Sequence, residues 1–290
     1  MKLVGVDVGG TFTDIVYTDT DTNRTITHKI LTTPEDPSQG VLAGLAELCE
    51  RNAIERAEID HVLHGTTIAT NAVLEYKGAR TGMVTSQGFR DIIHIGRHQR
   101  PQHYSIMQEI PWQDRPLVRR RHRKTVPERL APPSGAVLTP LDEDAVREAA
   151  RALKSEGVEA IAIQFLHSYV APDHEAETAA YLRRHLSGVS VTASYEITRE
   201  WREYERANTA VLNAYVQPIV QRYFDGLEKA LKGAGIDCPY AAMQSNGGTT
   251  SFAWAKEHPI TLMESGPAAG CNGAAIVGEL CGEARVIYLD

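Results

Sequence analysis

Short apolar runs separated by turn residues open the chain and predict strands rather than helices. Leu3–Val8 is apolar and rich in valine, the pair Gly9 and Gly10 follows it, and Phe12–Tyr17 and Ile26–Leu31 repeat the pattern. Runs of β-branched and aromatic residues are typical of strands, and glycines or polar residues between them are typical of turns. We therefore expect three consecutive strands that form an antiparallel meander.

Helical periodicity follows the meander and then alternates with further strands. Asp36 is placed to cap a helix that begins at Pro37. Pro218 lies inside the longest helical pattern and should kink or split that helix. Such alternation indicates an α/β fold with a mixed sheet and flanking helices. After the first helix we expect strands at His61–His64, Gly82–Thr85, Val158–Leu166, Val189–Ile197, Tyr240–Gln244, Ile260–Met263 and Val286–Leu289, and helices at Thr66–Lys77, Phe89–Ile95, Asp142–Glu156, Pro172–Leu186, Arg199–Lys232 and Pro267–Gly278.

The segment Gln99–Pro140 fits neither pattern, because it is rich in proline and has little periodicity. We interpret it as an insertion or extended loop, at about residues 99–140. The chain has 290 residues, of which 42% are hydrophobic and 23% charged. These values indicate a globular protein of one large or two medium domains.

Charge and apolar pattern exclude several classes of partner. The net charge is −7, so the surface as a whole repels nucleic-acid phosphate. The basic run Arg119–Lys124 is interpreted as a solvated loop or a subunit interface. No apolar run approaches the roughly 20 residues that cross a bilayer. Four cysteines without CxxC spacing, and Asp7 near the N-terminus in place of a signal-peptide core, predict a cytoplasmic protein.

The strongest chemical signal is the segment Val4–Asp14, VGVDVGGTFTD. A strand would deliver Asp7 to its C-terminal end, and Gly9 and Gly10 would let backbone N–H groups approach phosphate oxygens. Thr11 and Thr13 would add hydroxyl donors. Asp7 could hold a hydrated Mg²⁺, which takes only one or two protein carboxylates. The alternative is a plain β-hairpin with a glycine turn, which a carboxylate in an apolar strand disfavours.

Three other segments are candidates to line the same cleft. Threonines 66, 67 and 70 with Asn71 would open a helix and suit an anion, although simple helix capping explains them equally well. Asn246 and Gly247 follow a predicted strand, and Ser265 and Gly266 precede a predicted helix. The small residues of the last segment could equally serve close helix packing. Glu264 is a weaker candidate, and His64 is either catalytic or a core histidine.

These motifs resemble those of one known family, and the resemblance covers essentially the whole chain. The first segment is similar to the first phosphate loop of the sugar kinase, Hsp70 and actin superfamily, and more specifically to the N-terminus of the hydantoinase A and 5-oxoprolinase family. Six further segments occur in that family's order. They are HGTTIATNA at 64–72, KGARTG at 77–82 with GFRD at 88–91, IGR at 95–97, MQSNGG at 243–248 and SGPAAG at 265–270.

The resemblance implies a fold, a reaction and a division of the chain. It implies an actin-like, ribonuclease H-like N-terminal lobe, with an N-terminal family region at residues 1–190 and the start of the hydantoinase A domain at 191–290. Asp290 would be the first residue of a second phosphate loop and would face Asp7 as a second catalytic carboxylate. The family's later half would then be missing, so independent activity is not expected.

The implied activity is ATP- and Mg²⁺-dependent ring opening of a cyclic amide such as hydantoin, 5-oxoproline or a lactam. The first alternative is a subunit of a ketone carboxylase that uses acetone or acetophenone with bicarbonate, and the second is a non-catalytic ATP-binding scaffold or an inactive fragment. The family also implies a hydantoinase B-like partner subunit and hence a hetero-oligomer. We expect no nucleic-acid or membrane partner.

Overall fold

The computed structural model describes residues 1–33, 36–99 and 102–289, apart from the side chain of Pro111. The described residues form twelve strands, β1 to β12 in chain order, at Lys2–Val8, Phe12–Asp19, Arg24–Leu31, His61–Thr66, Thr81–Ser86, Arg123–Val126, Arg129–Ala131, Ala136–Thr139, Ala160–Gln164, Ser190–Ala193, Tyr240–Met243 and Thr249–Ser251.

The same residues form ten α-helices, α1 to α10, and three short 3₁₀ helices. The α-helices are Pro37–Asn52, Ile68–Leu74, Ile92–Ile95, Pro111–Asp114, Glu143–Ser155, Asp173–His185, Ser194–Ile197, Glu203–Gly233, Phe252–Glu257 and Ser265–Cys281. The 3₁₀ helices are Arg56–Glu58, Arg120–His122 and Pro259–Leu262. None of the described helices is long and apolar enough to cross a membrane.

The chain divides into two compact units. Unit one contains Met1–Glu75 and Ile219–Asp290, and unit two contains Tyr76–Pro218. The predicted boundary between family regions at residue 190 concerns sequence families rather than compactness, and it stays a prediction.

Unit one is built on a six-stranded mixed sheet in the order β12-β11-β4-β1-β2-β3. The predicted meander is confirmed, because β1 pairs antiparallel with β2 and β2 with β3. The other neighbour of β1 is β4, which runs parallel to it and to β11. Buried apolar residues on β1, β2 and α1 form the core beneath the meander: Val4, Val6, Val8, Ile15, Tyr17, Val41, Leu45 and Leu48.

Unit two contains a four-stranded parallel sheet in the order β10-β9-β5-β6. Helices α5 and α6 cover the core cluster that includes Leu153, Ile161, Ile163, Phe165 and Leu182. A second cluster joins this sheet to the first half of α8 through small residues such as Ala160, Ala162, Ala207, Ala210 and Ala214. The predicted α/β fold with a mixed sheet is therefore confirmed.

Caps explain where two of the helices begin. The Asp36 carboxylate accepts from the Ser38 backbone N–H at 3.2 Å, with Pro37 at the first helical position of α1. The Asp142 carboxylate accepts from the Ala145 N–H at 2.9 Å and caps α5 in the same way. Both N-termini are those that the sequence predicts.

Several predicted elements differ in the structure. Ile260–Met263 is not a strand, because Pro259 begins a 3₁₀ helix and the Thr261 carbonyl accepts from the Ser245 N–H instead of a sheet ladder. Val286–Leu289 forms no strand, since no described strand pairs with it. Pro218 does not split α8. Its neighbours Val216 and Val220 are buried, and their packing offsets the backbone hydrogen bond that proline cannot make.

The proline-rich region 99–140 contains more regular structure than its composition predicts. Residues 100 and 101 lie outside the described part of the chain. Further along, β6 joins the four-stranded sheet and β7 pairs antiparallel with β8. The basic run is therefore a 3₁₀ helix followed by a strand rather than a solvated loop, and Arg123 within it is buried.

A glycine at residue 78 tests the packing of unit two. A Cβ at Gly78 would lie 2.0 Å from a ring carbon of Tyr215. We expect Gly78→Ala to lower the free energy of unfolding by about 1–3 kcal/mol, because the tyrosine ring must be displaced. Urea unfolding followed by circular dichroism measures the change.

Gly226 is the matched control, because it lies within α8 and a Cβ there would meet no atom within 4 Å. Alanine is the better helix former by about 0.5–1 kcal/mol. Gly226→Ala should therefore raise stability or leave it unchanged. Equal stability of the two variants would contradict the packing described for Gly78.

Candidate functional site

The predicted motifs meet at one edge of the sheet of unit one. Val8 pairs with Thr66 in the parallel β1–β4 ladder, and His64 pairs with Ala242 in the β4–β11 ladder. Parallel strands place their C-terminal ends at the same edge of a sheet, where ligands of open α/β sheets usually bind. The segments that follow β1, β4 and β11 therefore emerge together. They are the glycine turn, the threonine-rich helix start and the Ser245–Gly248 turn.

Asp7 lies on the exposed face of β1. Its neighbours Val6 and Val8 are buried, whereas Asp7 is exposed. The carboxylate therefore carries no cost of burial, and a plain β-hairpin is not disfavoured on that ground. Asp7 stands opposite Asp14 in the β1–β2 ladder, and Asp14 pairs with Lys29 at 2.6 Å. The Lys29 ammonium therefore offsets part of the negative charge that the two opposed carboxylates bring together.

Gly65 makes room for the Asp7 carboxylate. The two residues are register partners, and a Cβ at Gly65 would lie 3.0 Å from Asp7 Oδ1. A glycine inside a strand often marks such a close approach. The sequence analysis did not assign a role to Gly65, although a glycine inside a strand was a usable signal.

A backbone hydrogen bond closes the glycine turn, and the outer side of the turn is exposed to solvent. The Gly9 N–H donates to the Phe12 carbonyl at 3.0 Å, and a Cβ at Gly9 would lie 3.1 Å from that carbonyl oxygen. Gly10 and Thr11 are exposed, and a Cβ at Gly10 would meet no atom within 4 Å. A ligand could thus approach the backbone at Gly10 directly.

The side chain of Thr13 is buried and is linked to the glycine turn through Thr32. The Thr32 hydroxyl donates to the Gly9 carbonyl at 2.9 Å, and the Thr13 and Thr32 hydroxyl oxygens are 3.0 Å apart. Since a hydroxyl has one proton, Thr13 is the donor of this second bond. The Thr32 N–H also donates to the Thr11 carbonyl at 2.9 Å. Thr32, which the sequence analysis missed, therefore fixes both ends of the turn.

The threonines after β4 make local bonds at the start of α2. Thr66 Oγ1 accepts from the Ile68 N–H at 3.3 Å, and Asn71 Nδ2 donates to Thr67 Oγ1 at 3.0 Å. Thr66 is buried and Thr67 is partly buried. The N-cap residue Thr67 makes no side-chain capping hydrogen bond, so these are local bonds around the helix start, and the choice between capping and anion binding stays a prediction.

The turn after β11 is fastened to α10. Gly247 has a φ of +82°, which favours glycine, and its carbonyl accepts from Asn272 Nδ2 of α10 at 2.9 Å. The exposed Asn246 accepts from the Gly248 N–H at 2.8 Å through Oδ1. Asn246 and Gly247 thus lie at the same edge as the glycine turn, with the asparagine oxygen used to shape its own turn.

Ser265 joins the start of α10 to the end of β4. Its buried hydroxyl donates to the Thr66 carbonyl at 3.3 Å. Gly266 is partly exposed, and a Cβ there would meet no atom within 4 Å, whereas a Cβ at Gly270 would overlap the Tyr288 ring at 2.1 Å. Close packing therefore explains Gly270, and Gly266 remains open at the helix start. Glu264, at the N-cap, is exposed and has a left-handed φ of 61°.

His64 is a buried member of an aromatic cluster. Its Nε2 lies 2.9 Å from the Tyr223 hydroxyl oxygen, and its ring packs against Phe224 and Phe252. Burial lowers the pKa of His64 to about 4, and burial also raises the pKa of the Tyr223 hydroxyl. Both groups are therefore neutral at pH 7, which fits the core alternative.

The donors at this edge fit a nucleotide phosphate with Mg²⁺. One exposed carboxylate beside an open backbone turn suits a cation that keeps most of its waters and shares phosphate oxygens. Within the described residues, no group of three or more His, Cys, Asp or Glu side chains could hold a metal alone. Asp290, the other predicted catalytic carboxylate, lies outside the described residues.

Comparisons with known proteins agree with the motif order. Residues 3–186 match the family model described as the hydantoinase/oxoprolinase N-terminal region, and residues 206–290 match the model described as hydantoinase/oxoprolinase. An uncharacterized protein of Methanocaldococcus jannaschii is 37% identical over 99% of this chain and 42% of its own length.

The next two matches are to one enzyme, caprolactamase. The alpha subunit of caprolactamase from Pseudomonas jessenii is 31% identical over 99% of this chain and 41% of its own length. The crystal structure of that ATP-dependent caprolactamase matches with a TM-score of 0.86 and 30% identity, covering 97% of this chain and 41% of the other.

A nucleotide-free structure of acetone carboxylase, from a study of ATP-dependent acetone carboxylation, matches with a TM-score of 0.85 and 27% identity. The match covers 97% of this chain and 41% of the other. The chain thus spans about two fifths of the length of each relative named here.

The buried histidine predicts a pH dependence of stability. An unfolded histidine has a pKa near 6.5, so between pH 6.5 and about 4 the unfolded state binds a proton that the folded state refuses. The contribution of His64 to stability is complete above pH 6.5 and is lost as pH falls toward 4, by about 3 kcal/mol. His64→Phe should remove this component of the pH profile, measured by urea unfolding between pH 4 and 8.

Tyr223→Phe is the control, because it removes the hydrogen-bond partner and leaves the imidazole buried. That variant should keep the pH-dependent component. A profile of His64→Phe that still falls in parallel with the parent between pH 6.5 and 4 would show that another group is responsible.

Proposed function

The chain belongs to the hydantoinase/oxoprolinase family, and from this we propose that it contributes the ATP-binding part of an enzyme that opens a cyclic amide. The observation that carries the proposal is the meeting of Asp7, the Gly9–Thr11 turn, Gly247 and Ser265 at one sheet edge. Described relatives include an ATP-dependent caprolactamase, which supports a lactam or a related cyclic amide as the substrate class.

The residues of this edge would divide the work between charge and position. Asp7 would hold Mg²⁺ through water, with Gly65 leaving room for its carboxylate. The backbone at Gly10 and Thr11 would donate N–H groups to phosphate oxygens, whereas the Gly9 N–H, which was expected to do the same, closes the turn on the Phe12 carbonyl. Thr13 would keep the turn in place through Thr32. The N-terminus of α10 at Ser265 and Gly266 would add the positive end of a helix dipole.

ATP would supply its γ-phosphoryl group to the amide oxygen and leave as ADP, which makes the carbonyl carbon electrophilic enough for water to add. Collapse of this adduct would break the C–N bond, with the ring nitrogen taking up a proton to leave as the amine, and hydrolysis of the acyl phosphate would then release inorganic phosphate. An amide carbonyl resists water because of resonance, so this activation supplies the needed electrophile. Phosphoryl transfer is promoted mainly by positioning and by neutralisation of negative charge. The groups at this edge would supply positioning and charge neutralisation.

The relatives are more than twice as long as this chain, so the substrate and the partner subunits are proposed for the complete protein. We propose a hydantoinase B-like partner and a hetero-oligomer, because the caprolactamase relative is named as a subunit. A ketone carboxylase that uses bicarbonate is the second candidate, favoured by the likeness to acetone carboxylase. ATP-dependent loss of caprolactam, hydantoin and 5-oxoproline, compared with acetone plus bicarbonate, distinguishes the two in the complete assembly.

Asp7→Asn should lower ATP turnover of the complete assembly by at least about 100-fold, because the amide keeps the shape of the side chain and loses the charge that attracts Mg²⁺. In the 290-residue chain, MgATP at millimolar concentration should slow amide hydrogen exchange at residues 9–13. This protection should be absent in Asp7→Asn. Unchanged turnover would remove Asp7 from the mechanism, and unchanged exchange in the parent chain would remove the turn.

Gly65→Ala separates the position of the carboxylate from its charge. The added Cβ would press on Asp7 Oδ1, so we expect roughly tenfold lower turnover and a higher Mg²⁺ requirement. Gly5→Ala on the neighbouring strand is the matched control, because its Cβ would lie an ordinary 4.0 Å from the Val16 carbonyl oxygen. If both variants turned over ATP equally well, Gly65 would have no positioning role.

A further inference from the structure

A basic groove of about 530 Å³ lies in unit two and is not used by the proposed function. One wall is the 3₁₀ helix and strand β6, and the other wall is α5. Alanines one helical turn apart on α5, Ala145, Ala149 and Ala152, line it without filling it. We call this feature the basic groove. It is defined by five cations, which are Arg90, Arg120, Arg121, Arg123 and Lys124.

Two of these arginines are fixed in place by the protein. Arg123 is buried, and its Nε and Nη2 donate to the Val118 carbonyl at 3.0 and 2.9 Å. Its Nη1 forms an ion pair with Asp91 Oδ1 at 3.5 Å. Arg120 makes a bidentate pair with Asp91 at 3.0 and 2.9 Å. Arg123 therefore contributes charge from a buried position, whereas Arg120, with a 62% exposed side chain, has a guanidinium whose set orientation loses little side-chain entropy when it binds a ligand.

The other three cations have longer ion pairs than Arg120 or none, so less of their charge is neutralised by the protein. Arg121 has a 60% exposed side chain and lies 3.4 Å from Glu156, and Arg90 lies 3.7 Å from Asp91. Lys124 makes no ion pair with any residue in the described part of the chain. Counting Asp91, Glu148 and Glu156 against the five cations leaves a local formal charge of 5 − 3 = +2, in a chain whose net charge is −7.

We propose that the basic groove binds a phosphate monoester-type dianion. A phosphate monoester carries about −1.5 to −2 charges at pH 7, which matches the local excess. Planar guanidinium groups and the Thr125 hydroxyl offer the donors that phosphate oxygens accept. A cavity of this size admits a small organic phosphate. The lining has no aromatic residue on which bases could stack, which disfavours single-stranded nucleic acid.

The test uses the 290-residue chain, inorganic phosphate and phenyl phosphate as probes, and isothermal titration calorimetry at low ionic strength. The double variant Arg121→Gln/Lys124→Gln should weaken binding of both probes by at least tenfold, because each lost cation removes a charge-assisted hydrogen bond. Arg90→Gln gives a second and independent loss if the double variant unfolds. Equal affinity for the two probes would assign the site to the phosphate dianion itself, and tighter binding of phenyl phosphate would assign it to an ester.

Two controls separate this groove from the edge of unit one. Arg222→Gln removes an exposed cation of α8 and should leave both affinities unchanged. Asp7→Asn should also leave them unchanged, so failure of the proposed ATP site does not affect this test. Phosphate binding that survives in both the double variant and Arg90→Gln, or that disappears in Asp7→Asn, would overturn the proposal. So would binding of an oligothymidylate without binding of phenyl phosphate.

Discussion

The parallel pairing of β4 between β1 and β11 is the constraint on which the candidate site depends. It sets Val8 opposite Thr66 and Asp7 opposite Gly65. Because side chains alternate between the two faces of a sheet, a slip of one residue in β1 would turn Asp7 to the face now occupied by Val6 and Val8. The register that buries the valines is therefore also the register that exposes the carboxylate. Core packing and the position of the functional group are fixed by the same ladder.

The polar side chains at this edge mostly hold the loops in shape. The hydroxyls of Thr13 and Thr32 bond beneath the glycine turn, the Asn246 oxygen accepts within its own turn, and the Ser265 hydroxyl bonds to the end of β4. The outward surface at Gly10 consists of backbone without a covering side chain. Such an arrangement suits an anion bound by N–H groups, since backbone donors held by a rigid scaffold need little reorganisation.

The sequence predicted correctly those elements that depend on interactions between residues close together in the chain. The meander, the caps of α1 and α5, and the placement of Asp7 before a glycine turn follow from nearby residues. Long-range contacts decided the rest. Gly65 acquires its role only when β4 lies beside β1, and Thr32 only when β3 returns along β2. Ile260–Met263 contains two β-branched residues, yet Pro259 and the bond from Ser245 place residues 260–262 in a 3₁₀ helix.

The two anion sites proposed here differ in the origin of their positive charge. At the edge of unit one, Asp7 adds negative charge and the fixed donors are neutral backbone groups, so a polyphosphate bound there would depend on a divalent cation to offset repulsion. In the basic groove of unit two, the protein supplies the positive charge itself, and Asp91 holds Arg120 and Arg123 in orientation. The first site is thus suited to phosphoryl transfer, in which charge is neutralised as it develops, and the second to binding an anion without a metal.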